Sequence, residues 1–389
     1  MANFSFQDKT VVILIKDAIL GGAERQALGF AKYIKENFKC SVYIVVTYSN
    51  NQSFEFKDFL KEIGIEKVYH FGPPSLSLKN EISIKNFKKA TRALKYLLRM
   101  TLKIRKFKPD ILVPFMNGPS KIASLIYKYT GAKITFWHQL GLEVCFYDYL
   151  EKIAVKKTPL IIANAENGLD VFKNYYKIKN ERLFVLPQYV VIEKVMLDKE
   201  KIREKFTIPS NVIVIGMISH YREEKFQELL IEAFSVINSK VNIHLVLLGN
   251  KDNNESAFKK FDLLKKLINK LNLSDKVSLL SGVPVQEVLN ILDIGVLVSE
   301  IEGTPNVLME YMTYGLPVVV TNHKGCNFLL GDSEFLIPNI KLILVDKLEK
   351  LVENDLLREK EGHNNLEKIK GYTPKIYFER LETILKKTI

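Results

Sequence analysis

The stretch SEIEGTPNVLMEYMTYGLPVVVT, residues 299–321, joins two apolar strands through a turn and a helix. The run IGVLVS (294–299) leads into it, Gly303 stands at the turn, and Pro305 suits a first helical position. The second strand is LPVVVT. Strand, turn, helix and strand in this order are typical of a parallel sheet covered by helices. The stretch therefore predicts an α/β fold.

The start of this helix is a candidate phosphate site. Its first turn, residues 306–308, offers backbone N–H groups, and the helix dipole adds positive charge there. Two carboxylates are held apart around it, with Glu302 at the mouth of the site and Glu310 inside the helix. One can face a sugar while the other accepts from two neighbouring ribose hydroxyls. That task needs no shifted pKa, so the pair favours positioning over proton transfer.

The same alternation of short apolar runs and amphipathic segments extends along the whole chain. In the first half the strand candidates are residues 10–15, 40–46, 110–116, 133–138 and 160–165. In the second half they are residues 212–219, 242–249, 276–282, 294–299 and 316–321. Two such sets predict two Rossmann-like, doubly wound domains. We expect them to face each other across a cleft lined by the carboxyl ends of their strands.

A charged segment between Pro187 and Pro209 interrupts this rhythm and marks a domain boundary near residue 195. At 389 residues the chain is long enough for two cores. We expect a first domain over 1–195, a second over 196–370, and a C-terminal helix within 371–389 that packs back on the first domain.

Positive charge is concentrated in the first half of the chain. The net charge is +13, and residues 1–195 hold 31 Lys and Arg against 17 Asp and Glu, while the remainder holds 26 against 27. This asymmetry points to an anionic partner of the first half. Nucleic acid is not expected, because no aromatic platform or known nucleic-acid module accompanies the charge.

Residues 85–108 contain no acid and predict a basic helix. Its cations recur at helical spacing: Lys85, Lys88, Arg92, Lys95, Arg99, Lys103 and Lys106. This basic stripe is a candidate contact with an anionic membrane, and the alternative is the solvated face of a core-packed helix. We expect the opposite face to pack on a sheet through Phe87, Ala90, Leu94, Leu97 and Leu98.

Neither a membrane-spanning segment nor a signal peptide is indicated, since no run of about 18 uncharged apolar residues occurs. We expect a cytoplasmic protein that can lie peripherally on the inner face of the membrane. The cysteines Cys40, Cys145 and Cys326 are odd in number, far apart and without CxxC spacing. This pattern argues against disulfides and structural zinc, so we expect buried thiols.

Glu302, seven intervening residues, Glu310 and then Tyr-Gly-Leu-Pro-Val-Val resemble the signature of the family 4 glycosyltransferases, which are retaining enzymes with the GT-B fold. The resemblance implies that Glu302 lies by the donor sugar and that Glu310 binds the ribose. It also implies that the donor diphosphate is held by the segment Gly303, Thr304, Asn306, Val307 and Leu308. The alternative is an ordinary helix with two exposed glutamates.

A second match lies in GMISHYREEKFQELLIEAF, residues 216–234, where Arg222 and Lys225 stand between an apolar strand and an amphipathic helix. Two cations there can clamp a diphosphate and neutralise its charge as it leaves. They resemble the Arg and Lys pair of the family, although many members carry the Arg further upstream, where this sequence has His220. The alternative for each is a solvated charge at a helix start.

Gly21 and Gly22 link the first strand to a helix and resemble the GGAE opening of the family, a loop that closes over donor diphosphate and acceptor. Glycine there allows close approach to a ligand and a positive φ, and the alternative is a simple turn. His138 ends a strand where the family often has a histidine, so it is either a hydrogen-bond partner of the donor sugar or a structural residue. Gly282 and Val283 resemble the backbone that contacts the nucleobase.

The resemblance implies transfer of a hexose-type sugar from a nucleoside diphosphate to an acceptor hydroxyl with retention. We expect the acceptor to be a lipid-linked or polysaccharide glycan intermediate. Neither a cofactor nor a metal is expected, because the cations neutralise the diphosphate and no carboxylate pair is placed for a metal. Two alternatives stay open: a nucleotide-sugar epimerase of the same architecture, and a non-catalytic partner subunit that binds a sugar nucleotide.

Overall fold

The computed structural model describes residues 4–74, 76–79, 81, 83–141, 147–300 and 305–388. The chain forms two compact units, Met1–Val191 with Pro374–Ile389, and Ile192–Thr373. The division at Val191 falls slightly before the boundary that the sequence places near 195. Cys40 and Cys326 are buried, as expected, and neither forms a disulfide with another described residue. Burial raises the pKa of Cys40 to about 11. Cys145 lies outside the described residues.

The first unit is built on parallel strands. Their bounds are β1 Thr10–Ile15, β2 Ser41–Val46, β3 Val68–His70, β4 Ile111–Pro114, β5 Ile134–Thr135, β6 Trp137–Gln139, β7 Ile161–Ala163 and β8 Leu183–Val185. One sheet has the order β3-β2-β1-β4-β5 and the other the order β6-β7-β8. The run 133–138, predicted as one strand, serves both sheets, because β5 pairs with β4 and β6 pairs with β7.

Helices cover both faces of the larger sheet. They are α1 Gly22–Phe38, α2 Phe54–Glu62, α3 Ile84–Arg105, α4 Asn117–Thr130, α5 Tyr149–Lys157 and α6 Asp170–Asn174. Side chains alternate along a strand, so Val11, Ile13 and Ile15 of β1 join the core that includes α1 and α2. Val12 and Leu14 join the core that includes α3 and α4. The predicted doubly wound arrangement is confirmed for this unit.

The packing predicted for the basic helix is wrong. α3 is buried through Ala93, Tyr96, Met100 and Ile104, which recur at intervals of three and four residues. Ala90 and Leu97 are half-buried, whereas Phe87, Leu94 and Leu98 are exposed at 71%, 67% and 54%. Tyr96 is buried in their place, and its hydroxyl donates a hydrogen bond to the carbonyl oxygen of Thr47 at 2.5 Å. Helical periodicity alone does not reveal this partner.

The second unit is also a parallel α/β unit. Its strands are β9 Ile213–Ile218, β10 Ile243–Gly249, β11 Val277–Ser281, β12 Ile294–Leu297, β13 Val318–Thr321 and β14 Leu336–Ile337. Its helices are α7 Lys199–Lys205, α8 Gln227–Phe234, α9 Glu255–Lys270, α10 Val285–Ile291, α11 Asn306–Thr313, α12 Lys324–Leu330, α13 Lys341–Val352 and α14 Asp355–Ile369. The strand order β11-β10-β9-β12-β13-β14 is that of a dinucleotide-binding fold.

Every strand predicted from the sequence is present, and β3, β8 and β14 were missed. Each has only two or three residues, most of them only half-buried, so it lacks the apolar run that marks a strand.

The C-terminal helix α15, Pro374–Leu385, belongs to the first unit. Phe378 packs against Phe30 and stacks on Tyr33, with ring centroids 4.7 and 4.5 Å apart. Glu382 accepts hydrogen bonds from the Phe6 N–H at 2.9 Å and the Ser5 hydroxyl at 3.1 Å. This helix therefore closes the core beside α1.

Candidate active site

The strand order of the second unit reverses between its neighbours β9 and β12. Ligands of doubly wound sheets bind outside the carboxyl ends of the strands at this reversal. The loop after β9 carries the predicted cations, and the loop after β12 leads into α11. A hydrogen bond of 2.8 Å from the Glu300 N–H to the Glu224 carbonyl oxygen joins the two loops. The structure thus brings the cation pair and the predicted phosphate helix to one edge.

Arg222 directly precedes a 3₁₀ turn, Glu223–Lys225, and Lys225 is its last residue; α8 follows the turn. The side chain of Arg222 is 57% exposed and lies 3.7 Å from the carboxylate of Glu224, and Lys225 is half-buried. Phe226 has a left-handed φ of 44°, which redirects the chain into α8. A guanidinium and an ammonium at this edge are suited to binding an anion.

The first turn of α11 lies at the same edge. Pro305 occupies the N-cap position, Asn306 and Val307 are half-buried, and Leu308 is buried. Backbone N–H groups of a first turn have no acceptor within the helix, which is what a phosphate site requires. Three residues predicted to act here lie outside the described residues: Glu302, Gly303 and Thr304.

Glu310 is buried within α11, with 4% of its surface exposed. The alternative of an ordinary exposed helical glutamate is therefore excluded for this residue. Burying a carboxylate costs free energy unless it is compensated. Glu310 therefore lies in the interior of the second unit, between the buried residues Met309 and Tyr311.

Tyr311 anchors α11 to the sheet and was not identified from the sequence. Its hydroxyl oxygen accepts from the Ile218 N–H at the end of β9, at 2.8 Å. A Cβ added to Gly295 of β12 would lie 2.7 Å from the Tyr311 ring, which is too close for a real contact. Glycine is therefore the residue that fits there. Burial raises the pKa of Tyr311. The signal available in the sequence was a tyrosine between Glu310 and Met312 in the helical run.

Gly282 and Val283 follow β11 at the same edge, and Gly282 has a φ of +70°. The loop after β9 is attached to β11, since the Tyr221 hydroxyl donates to the Leu280 carbonyl oxygen at 2.6 Å. The backbone of residues 282–284 therefore follows a strand that is tied to the cation loop.

In the first unit, Gly21 and Gly22 form the start of α1 at the carboxyl end of β1. Gly21 is the N-cap residue with φ −112° and ψ −170°, and Gly22 begins the helix. Neither adopts the positive φ that the sequence suggested. The turn is extended backbone leading directly into a helix, so glycine serves here by having no side chain rather than by unusual dihedrals.

Glu24 lies in the first turn of this helix. The backbone N–H groups of Glu24 itself and of Gly21 favour its ionised form and so lower its pKa slightly. Glu24 is 8% exposed, and burial raises its pKa to about 7, with a smaller contribution from Asp17. The GGAE resemblance contained this residue, but its burial could not be read from the sequence.

Replacing Glu24 with glutamine is expected to raise the free energy of unfolding at about pH 8 by about 2 kcal/mol. The folded pKa of Glu24, about 7, lies above its ordinary 4.5. Its contribution to stability is therefore fully present below pH 4.5 and is lost as pH rises through 7. Glutamine stays neutral and keeps the shape. Thermal unfolding at about pH 5 and pH 8 measures the difference; Glu36→Gln, exposed on the same helix, is the control. An equal gain at both pH values would contradict the prediction.

His138 is buried at 2% exposure, and burial lowers its pKa to about 4. Its Nδ1 lies 3.2 Å from the Pro114 carbonyl oxygen, an acceptor, so Nδ1 carries the proton. Nε2 is then the acceptor nitrogen of a neutral ring. The backbone N–H of His138 donates to the Ser120 hydroxyl at 3.0 Å. This arrangement suits accepting a hydrogen bond from a hydroxyl and does not suit holding charge.

Within the described ranges, no three His, Cys, Asp or Glu side chains are grouped as a metal site. In the same part of the chain, no helix is both long and apolar enough to cross a membrane.

Comparisons with known proteins show what this chain is similar to. Residues 198–368 match the family described as "Glycosyl transferases group 1". The capsular polysaccharide biosynthesis glycosyltransferase CapM of Staphylococcus aureus is 27% identical over 315 residues, covering 75% of this chain and 80% of that protein. An N-acetylgalactosaminyltransferase of Campylobacter jejuni that acts on a diphospho-undecaprenol glycan is 28% identical over 224 residues, 54% of this chain and 55% of that protein.

Solved structures share the fold. Anabaena HepE in complex with UDP-glucose superposes with a TM-score of 0.78 at 16% identity, covering 98% of this chain and 100% of that chain. TarM of S. aureus in complex with UDP superposes with a TM-score of 0.69 at 15% identity, covering 97% and 99%. The strand order, the loops at the carboxyl edge and these matches agree: the chain is a glycosyltransferase with the GT-B fold, and the group 1 family match covers residues 198–368 of its second unit.

Proposed function

We propose that the chain is a family 4 enzyme that transfers a hexose-type sugar from a nucleoside diphosphate to an acceptor hydroxyl with retention. The observation that carries this proposal is the placement of Arg222, Lys225 and the first turn of α11 together at the strand reversal of the second unit. Cations and helix amides at such a point stabilise a departing diphosphate.

In the proposed reaction, the bond between the anomeric carbon and the diphosphate oxygen breaks, and both electrons leave with the diphosphate. Arg222, Lys225 and the α11 amides hold the charge that develops there. The acceptor oxygen attacks the anomeric carbon from the face that the diphosphate leaves, which preserves the configuration. The acceptor's proton passes to the departing phosphate oxygen, so the protein need not supply a base. No metal is required if the two cations neutralise the diphosphate.

The remaining roles follow the family resemblance. Glu310 binds the ribose, Glu302 lies by the donor sugar, and residues 303–308 hold the diphosphate. Gly282 and Val283 present backbone to the nucleobase. Gly21 and Gly22 lie by the donor diphosphate and the acceptor.

For His138 we propose a hydrogen bond to a hydroxyl of the donor sugar. The lowered pKa keeps the ring neutral near pH 7, and the Pro114 carbonyl holds the proton on Nδ1. Nε2 is left as an acceptor, which matches a donating hydroxyl.

The acceptor we propose is a lipid-linked or polysaccharide glycan intermediate. The names of CapM and of the C. jejuni transferase describe capsular polysaccharide biosynthesis and a diphospho-undecaprenol acceptor. The basic first half of the chain suits an acceptor that carries phosphate.

We further propose that α3 rests on an anionic membrane surface. Its exposed face carries Ile84, Phe87, Leu94, Leu98 and Leu102, each more than half exposed. These residues recur at intervals that keep one stripe, about 27 Å long at 1.5 Å per residue. The basic stripe lies beside it, and Lys85, Lys88, Arg92, Lys95 and Arg99 are exposed. Apolar and basic stripes side by side are typical of helices that lie in a membrane interface.

The triple variant Phe87→Ser, Leu94→Ser and Leu98→Ser is expected to bind phosphatidylglycerol-containing vesicles at least about tenfold more weakly than wild type. The matched control is Phe258→Ser, Leu263→Ser and Leu356→Ser, which removes three equally exposed apolar side chains from the second unit. Vesicle sedimentation measures binding. Unchanged binding by the α3 variant, or equal loss in the control, would contradict a membrane contact through this helix.

The transferase proposal is tested by nucleotide release from UDP-glucose, GDP-mannose and ADP-glucose, with and without lipid-linked acceptors and with EDTA as a separate arm. Release from one donor, with the product's anomeric configuration retained by NMR, is the expected result. An epimerised sugar nucleotide without release would favour the epimerase. Donor binding without turnover, even by hydrolysis, would favour the non-catalytic subunit.

A further inference from the structure

Lys260 occupies a core position on α9, where it is 2% exposed. Its Nζ donates to Glu223 Oε2 at 3.0 Å and also to Glu228 Oε1. Glu223 begins the 3₁₀ turn that ends at Lys225, and Glu228 lies in the first turn of α8. One buried ammonium therefore ties the cation turn and the next helix to α9.

Packing alone does not account for a lysine at this position. The other buried positions of α9 are Ala257, Leu264 and Ile268, which lie at helical spacing from it. Removing a charge from water is costly, and an apolar residue in place of a buried ion pair is often as stable or more so. The ion pairs of Lys260 are therefore better explained by what they hold in place than by the stability they add.

The turn held by Lys260 lies partly at the surface. None of residues 222–226 is fully buried, and the side chain of Glu223 is 77% exposed. The hydrogen bond from Glu300 fixes the carbonyl of Glu224 on one side of the turn. Lys260 fixes Glu223 on the other side. Together they set the direction in which Lys225 leaves the turn.

We infer that Lys260 is a positioning residue for the donor diphosphate: it holds the turn at Glu223 so that Lys225 faces the phosphates. It also offsets the charge of Glu223 and Glu228, two carboxylates beside a site for an anion. This inference rests on the proposed function, because it assigns the diphosphate to Lys225.

Isothermal titration with UDP, GDP and ADP, each paired with its nucleoside, tests the inference. Lys260→Met is expected to lower the affinity for the nucleoside diphosphate that wild type binds by at least about tenfold and to change the affinity for the nucleoside by no more than about twofold. Lys260→Arg retains the hydrogen-bond donors and the charge, so its affinity for the diphosphate is expected to stay within about threefold of wild type. Glu223→Ala removes only the exposed end of the bridge, so it should reproduce the selective loss without disturbing the core.

Lys259→Met is the matched control, because it removes the same charge from the same helix at an exposed pair with Glu255. Three results would each overturn the inference while leaving the transferase proposal standing. The control could lower the diphosphate affinity as much as Lys260→Met does; Lys260→Met could lower the nucleoside and diphosphate affinities equally; or Lys260→Met could leave the diphosphate affinity unchanged. If wild type bound none of the three diphosphates, the proposed function itself would fall, and the inference with it.

Discussion

Replacing Lys225 with alanine is expected to lower kcat about a thousandfold while the protein stays folded. Negative charge grows on the diphosphate as its bond to the sugar breaks, so a cation placed there acts more strongly on the transition state than on the bound donor. Lys225 is half-buried on a short turn, and the exposed Arg222 is less constrained. Single-turnover nucleotide release measures the effect.

Lys225→Arg is the informative companion, because a guanidinium keeps the charge but changes its reach. It should recover part of the lost rate. Arg222→Ala is expected to lower kcat less than Lys225→Ala does, since Arg222 is more exposed. A Lys225→Ala enzyme within tenfold of wild-type kcat, with unchanged thermal unfolding, would remove Lys225 from the proposed mechanism.

Replacing Gly362 with alanine is expected to destabilise the second unit by about 3 kcal/mol. Gly362 lies in α14, where a Cβ would be 2.2 Å from the carbonyl oxygen of Gly315. That oxygen belongs to the Tyr-Gly-Leu-Pro turn after α11, and Gly315 has a φ of +71°. Backbone cannot move aside as a side chain can, so the two segments must separate. Asn365, which donates to the Leu316 carbonyl oxygen at 2.8 Å, would be displaced with them.

Thermal unfolding measures this effect, with a loss of roughly 6–12 °C expected for a unit of this size. Gly371→Ala is the control, because its Cβ would meet only the Lys368 carbonyl oxygen, at 3.7 Å. A Gly362→Ala protein that unfolds within about 2 °C of wild type would show that α14 does not pack as closely on the turn as described.

The strands were predictable because the central strands of each unit, such as β1, β4, β12 and β13, are buried on both faces and therefore read as apolar runs. The sheet edge that carries the candidate site was also predictable, because parallel strands place the loops that follow them at the same edge of the sheet. His138 shows the limit: the strand predicted to end at it is divided into β5 and β6, and His138 lies in the middle of β6. Its burial, tautomer and lowered pKa depend on contacts with Pro114 and Ser120 in other segments.

Local residue order is sufficient for the α/β class, the strand positions and the segments that carry Arg222, Lys225 and Glu310, because periodicity and short motifs are local properties. Tertiary structure decides which face of α3 is buried, why Tyr311 is needed, and where Lys260 is held. Each of these depends on a partner far along the chain: Thr47 for Tyr96, Ile218 for Tyr311, and Glu223 for Lys260. Burial and hydrogen bonding are properties of contacts, and contacts between distant segments exist only once the chain has folded.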